Sequence, residues 1–129
     1  MRKMLLIAGA AALSAAGMGV QAHHSFAMFD QTKQETLTGT VQEFQWTNPH
    51  TWLQLEVPTD GKKVVWSIEG ASPNGLRRQG WNARTFQPGD KVTVTLNPLK
   101  NGEPGGSFVG AIKEDGTKIG RPPEDYEEK

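Results

Sequence analysis

From Glu35 onward the chain alternates apolar and polar residues in short runs broken by turn residues, the pattern of half-buried β-strands. Thr36 to Trp46 is a long β-rich stretch, and Gly39 inside it predicts a bulge or bend. Thr47-Asn48-Pro49-His50 is a turn by composition. Leu53, Leu55 and Val57 then alternate with Trp52, Gln54 and Glu56. After the Asp60-Gly61 hairpin signal, Val64, Trp66 and Ile68 alternate with Lys63, Val65, Ser67 and Glu69. The second set is expected to face solvent.

A short helix follows, with Ser72 as its cap, Pro73 in its first position and Gly80 at its end. Gln87-Pro88-Gly89-Asp90 turns the chain into a fourth strand, Lys91 to Leu96, whose core face is Val92, Val94 and Leu96. The Gly/Pro loop Asn101 to Gly106 leads to a fifth strand, Ser107 to Lys113, with Phe108 and Ile112 as core candidates. Glu114 to Thr117 turns it into a small hairpin extension at Lys118-Ile119.

Three strands, a short helix and two strands are the order of the OB-fold, which removes sheet edges by closing a small barrel. The expected fold is therefore all-β: a five-stranded OB-like barrel with one short helix between strands 3 and 4. A first strand bent at Gly39 suits it, because that strand must serve both halves of the barrel. An open sandwich or a jelly-roll fragment is the alternative. The barrel spans residues 35–120. Residues 23–34 form a polar lead-in with no strand or helix period, and residues 121–129 form an acidic, Pro-led tail expected to be unfolded.

The start of the chain changes the picture. Arg2 and Lys3, the apolar run from Met4 to about Ala16 and the small-residue site Val20-Gln21-Ala22 read as a signal peptide over residues 1–22. The run is shorter than the roughly 20 residues of a membrane-spanning helix, so no transmembrane segment is expected. The reading implies an exported protein, with the bacterial periplasm as its address, and leaves one domain with one core. The chain has no cysteine, which excludes a disulfide framework, a thiolate metal site and a cysteine nucleophile. Removing Arg2 and Lys3 from 14 basic residues against 14 acidic ones leaves a slightly acidic mature chain, not the basic surface that nucleic acid calls for.

The mature start His23-His24-Ser25-Phe26, together with Gly39-Thr40-Val41, Asn48-Pro49-His50-Thr51-Trp52, Gly80-Trp81 and Pro88-Gly89-Asp90-Lys91-Val92, resembles a family of small exported bacterial proteins catalogued as a domain of unknown function. The resemblance covers nearly the whole mature chain. It implies export and one small β domain, and it implies no activity.

Candidate chemistry centres on the histidines. Cleavage after Ala22 would make His23 the N-terminus, followed at once by His24, and the third and last histidine is His50. An N-terminal histidine offers its amine and its ring as a chelate. Copper(II) favours nitrogen ligands in a tetragonal arrangement and outcompetes other divalent first-row ions there. His23, His24 and His50 are the candidate metal ligands and copper the candidate cofactor, with Met28 and Asp30 near enough in sequence to assist. Ligation needs neutral imidazole and a deprotonated amine, so binding weakens in acid. Histidines at a polar terminus and at a turn are also what an ordinary surface carries.

Trp46 and Trp52 flank the turn that holds His50, on the loop that lines the usual ligand surface of an OB-type barrel. They are candidates for stacking a sugar, a peptide or an aromatic ligand. Arg77, Arg78, Trp81 and Arg84 read more simply as an amphipathic helix with solvated arginines. No nucleophile elbow, paired carboxylates or phosphate loop is present. The expected function is an exported periplasmic binding module for copper. The alternative is a metal-free module that binds a small molecule, peptide or partner protein through the aromatic loop surface. Catalysis is not expected, with a metal-dependent oxidase as the remaining enzymatic class.

Overall fold

The computed structural model describes residues 24–122, with side chains from Phe26 onward. The expected signal peptide over residues 1–22, His23 and residues 123–129 of the expected tail lie outside the described residues. The elements are α1 (His24–Ala27), β1 (Glu35–Gln45), β2 (Trp52–Thr59), β3 (Lys62–Glu69), α2 (Pro73–Arg77), β4 (Lys91–Pro98), β5 (Gly105–Lys113) and β6 (Lys118–Gly120).

The first half of β1 pairs antiparallel with β4, from Glu35↔Leu96 to Thr40↔Lys91. Its second half pairs with β2, from Thr40↔Glu56 to Gln45↔Trp52. β2 and β3 form the hairpin closed by Asp60 and Gly61, whose φ angles of 49° and 77° are those a tight hairpin turn requires. β4 pairs with β5, and β5 pairs parallel with β3 at Ser67↔Gly105 to Glu69↔Ser107, which closes five strands into a barrel. β6 extends β5. The strand–strand–strand–helix–strand–strand order is thus realised as the OB-type barrel.

Gly39 is not the bulge. The register shift lies between Val41 and Glu43, and its effect is to change the phase of β1. Val41 and Phe44 both reach the interior while Gln42 and Glu43 stay exposed, which strict alternation would forbid. Gly39 is needed for another reason. A Cβ there would collide with the Glu56 carbonyl, so the residue permits close approach where β1 passes from one partner to the other.

The core is built from Val41, Leu53, Leu55, Val57, Ile68, Phe86, Val92, Val94, Leu96, Ala111 and Ile119, with Trp66 packed against it. The barrel end near α2 is filled by aromatic rings. Trp81 meets Phe86 at 5.8 Å and Phe108 at 5.3 Å, both edge-on, and Phe44 meets Phe86 at 5.3 Å. These edge-to-face contacts are the favoured geometry for ring quadrupoles.

Two boundaries differ from the sequence expectation. The lead-in is not featureless: it carries α1, and Phe29, only 4% exposed, bridges to Leu99. The tail begins later than 121, because the Arg121 amide still donates to the Val109 carbonyl at 3.0 Å.

Candidate functional site: a histidine–carboxylate cleft beneath the N-terminal segment

His50 ends the turn between β1 and β2. Its carbonyl accepts from the Thr47 hydroxyl at 2.8 Å, which closes the turn upon itself. The next residue anchors it. The Thr51 hydroxyl and amide both donate to the Ala71 carbonyl, at 2.9 and 3.2 Å, and the Gly70 amide donates to the Thr51 carbonyl at 2.8 Å. Thr51 is 2% exposed, so these bonds hold inside the protein, where losing one is costly. The turn is thereby fixed to the segment leaving β3.

That attachment brings His50 to Glu69. The Nδ1 of His50 lies 3.2 Å from the Gly70 carbonyl and 3.3 Å from Glu69 Oε1. A carbonyl can only accept, so Nδ1 carries the proton and donates. In the neutral ring the lone pair is then on Nε2, which has no hydrogen-bond partner among the described residues. A neutral imidazole held in this tautomer is the form that binds a metal ion.

Glu69 corrects the sequence expectation. Alternation along β3 predicts a solvent-facing side chain, yet the residue is 8% exposed. The parallel pairing of Glu69 with Ser107 on β5 and the N-terminal segment across the strand ends cover it. His50 and Glu69 line a cleft of about 200 Å³ whose other walls include Phe26, Phe29, Ser107 and Phe108.

The lead-in reaches this cleft because it is docked. The Asp30 amide donates to the Pro98 carbonyl at 2.8 Å and the Lys100 amide donates to the Met28 carbonyl at 2.9 Å, on either side of the buried Phe29. The chain from Met28 to Asp30 therefore runs as a short antiparallel partner of the end of β4. This places Phe26, one turn earlier, on the cleft.

The other candidates fall elsewhere. His24 belongs to the α1 backbone, and its side chain, like His23, lies outside the described residues. Met28 is 49% exposed and does not line the cleft. The Asp30 carboxylate is engaged by Thr32, through the hydroxyl at 2.6 Å and the amide at 3.0 Å; these bonds hold it below the ordinary aspartate value of 3.8. Trp46 is half-buried, with Phe44 edge-on at 5.9 Å and the Arg77 guanidinium 5.8 Å above its ring. Trp52 is half-buried rather than fully exposed. Arg78 and Arg84 are exposed, and Trp81 belongs to the aromatic plug. No group of three His, Cys, Asp or Glu side chains that could hold a metal occurs among the described residues.

Barrel and cleft define a small OB-type protein in which the His50–Glu69 pair shares a cleft with Phe26 and Phe29 of the N-terminal segment. The chain belongs to a family of unknown function, DUF6152, whose profile matches residues 11–108, from the apolar start to Phe108 in β5. No curated protein and no solved structure matches it.

Proposed function

We propose that this protein is an exported periplasmic module that binds one copper ion between its N-terminal histidines and His50. The observation that carries the reading is the docking of the lead-in: Phe29 anchors it and Phe26 lines the cleft that holds His50. Residue 23 is three positions before Phe26, and a chain advances at most about 3.6 Å per residue, so the amine of a chain starting at His23 stays within roughly 11 Å of the Phe26 backbone. His24 is nearer still. The loop-closure entropy that a flexible terminus would lose on binding is reduced because the segment is already attached. In its neutral form His50 would offer Nε2, His23 would add amine and ring, and His24 its ring: the nitrogen-rich set that copper(II) favours.

Copper(II) titration of a chain beginning at His23 tests the reading. A one-to-one complex is expected, weakened by His23→Ala and, separately, by His50→Ala. The second substitution decides, since a peptide of residues 23–30 would bind copper without any fold. An unchanged affinity and spectrum in folded His50→Ala would reduce the site to a terminal chelate and overturn the reading.

A second reading has its own support. On the outer face of the first three strands Trp52 stands beside Gln45 and Gln54, and Gln54 donates to the Ser67 hydroxyl at 3.0 Å. An indole next to amide and hydroxyl groups suits a small polar ligand or peptide, the alternative raised by the aromatic loop surface. Such binding would survive acetylation of the N-terminus, which a copper site using the His23 amine would not.

A further inference from the structure

We infer that the cleft between the N-terminal segment and the His50 turn binds a small organic amine, held as its ammonium ion by Glu69. The inference is independent of the copper reading and needs nothing from residues 23 and 24. The Glu69 side chain is only 10% exposed, yet no donor among the described residues makes a hydrogen bond to it. His50 Nδ1 lies 3.3 Å from Oε1 but gives its proton to the Gly70 carbonyl. The lysines that form ion pairs go to Asp30, Glu56 and Asp90. A carboxylate taken this far out of water is costly without a donor or a counter-charge. No fully buried side-chain oxygen or nitrogen among the described residues lacks a partner, so the Glu69 oxygens are open to the cleft and not sealed beneath it. A molecule entering there meets the charge directly.

The rest of the lining defines the ligand. Phe26, Phe29 and Phe108 form apolar walls, and the lining holds no lysine or arginine. Aromatic walls around a carboxylate suit a cation with an apolar body. Phe26 stands on the cleft but is 63% exposed, so a seated ligand also takes apolar surface out of water. The carboxylate accepts strong hydrogen bonds from an ammonium, which has N–H donors; a quaternary ammonium has none. Ser107 and His50, in the same lining, can accept the remaining N–H groups. At about 200 Å³ the cleft is smaller than the roughly 300–1,000 Å³ of drug-sized sites, which fits a monoamine with one ring or a short chain.

Benzylamine is the probe, titrated near neutral pH into the chain beginning at His23, with a chelator present to exclude metal. Amide chemical shifts report where it binds. Three controls keep the ring and change the head: benzyl alcohol removes the charge, benzoate inverts it, and benzyltrimethylammonium keeps it without N–H donors. Benzylamine should bind at one site and move the amides of Phe26, Gly70, Ala71 and Ser107. Each control should bind roughly 10- to 100-fold more weakly, the difference that a charge-assisted hydrogen bond makes. Glu69→Gln should weaken benzylamine by the same factor. Phe26→Ala removes a largely exposed ring, should leave the barrel folded, and should cost roughly two- to fivefold in affinity. The assignment is overturned if millimolar benzylamine leaves the cleft amides unmoved, if any control binds as tightly, or if folded Glu69→Gln keeps the affinity. The comparison of the four ligands is made on the unmodified protein, so it decides even where Glu69→Gln does not fold. All of these outcomes leave the copper reading standing, since that is tested separately by copper titration of His50→Ala.

Discussion

Gly70 lies directly against Thr51: its amide donates to the Thr51 carbonyl at 2.8 Å, and a Cβ at Gly70 would land on the Thr51 hydroxyl. The hydroxyl cannot yield without losing its bond to Ala71. This contact ties the His50 turn to the end of β3, so packing at residue 70 sets the distance between His50 and Glu69. Gly70→Ala should therefore cost about 1–3 kcal/mol through overpacking. It should also weaken copper binding although neither residue is a ligand. Urea unfolding and copper titration of the same variant check both effects; a destabilised but copper-competent protein would show that the turn can shift without moving His50.

Phe29 couples stability to the proposed site. It is buried in an otherwise polar segment and flanked by the two backbone bonds to the end of β4. Phe29→Ala should cost about 3–5 kcal/mol through lost transfer energy and the cavity left behind. If the remaining barrel stays folded, the lead-in is released from the cleft. Copper binding should then resemble that of a peptide of residues 23–30 and become indifferent to His50→Ala. Retention of His50 dependence would mean that the terminus finds the cleft without its anchor.

Most of the barrel was legible because its signals are local. Asp60-Gly61 fixes the hairpin, Ser72-Pro73 starts the helix, and Leu53-Leu55-Val57 and Val92-Val94-Leu96 mark core faces by alternation. Counting outward from Asp60-Gly61 pairs Trp52 with Glu69, so the nearness of Glu69 to the His50 turn was available from the hairpin register. Its burial was not, since that depends on β5 and the N-terminal segment crossing the strand end. Phe29 and Phe86 carried no periodic signal either. Each is an aromatic residue in a loop-like stretch, buried by tertiary contacts alone. The Val41–Glu43 register shift was misplaced at Gly39 because a glycine in a strand serves bulges and close backbone approach alike.

Asp30 gives the docked segment a specific acid response. The Thr32 hydroxyl first, then the Thr32 amide, and more weakly Lys33 and Lys100 favour its ionised form, so its native value lies below 3.8. A depressed carboxylate stabilises the folded segment above the unfolded value and loses that contribution as pH falls through the native one. A carboxyl-carbon titration by nuclear magnetic resonance should place the Asp30 midpoint below 3.8, and Thr32→Val should raise it towards 3.8. A midpoint at or above 3.8 in the unmodified protein would contradict the cause assigned here.

The position of the first residue offers a sharper test than any substitution. A chain beginning at His23 presents an amine and a ring on one residue and a second ring on the next, leaving coordination positions for His50. A chain that retains Ala22 presents a different chelate: the Ala22 amine, two intervening amides and the His24 ring supply four nitrogens, enough to complete a square plane around copper(II). His50 would then have no place to bind. The extended chain should still fold, because Phe29 and the barrel are untouched. It should bind copper at least as well, show a changed visible spectrum, and lose all dependence on His50. Titrating both chains with and without His50→Ala gives four curves, and only the chain starting at His23 should distinguish its pair. If the Ala22-extended chain remains sensitive to His50→Ala, the terminal amine is not a ligand, and the terminus contributes imidazole alone.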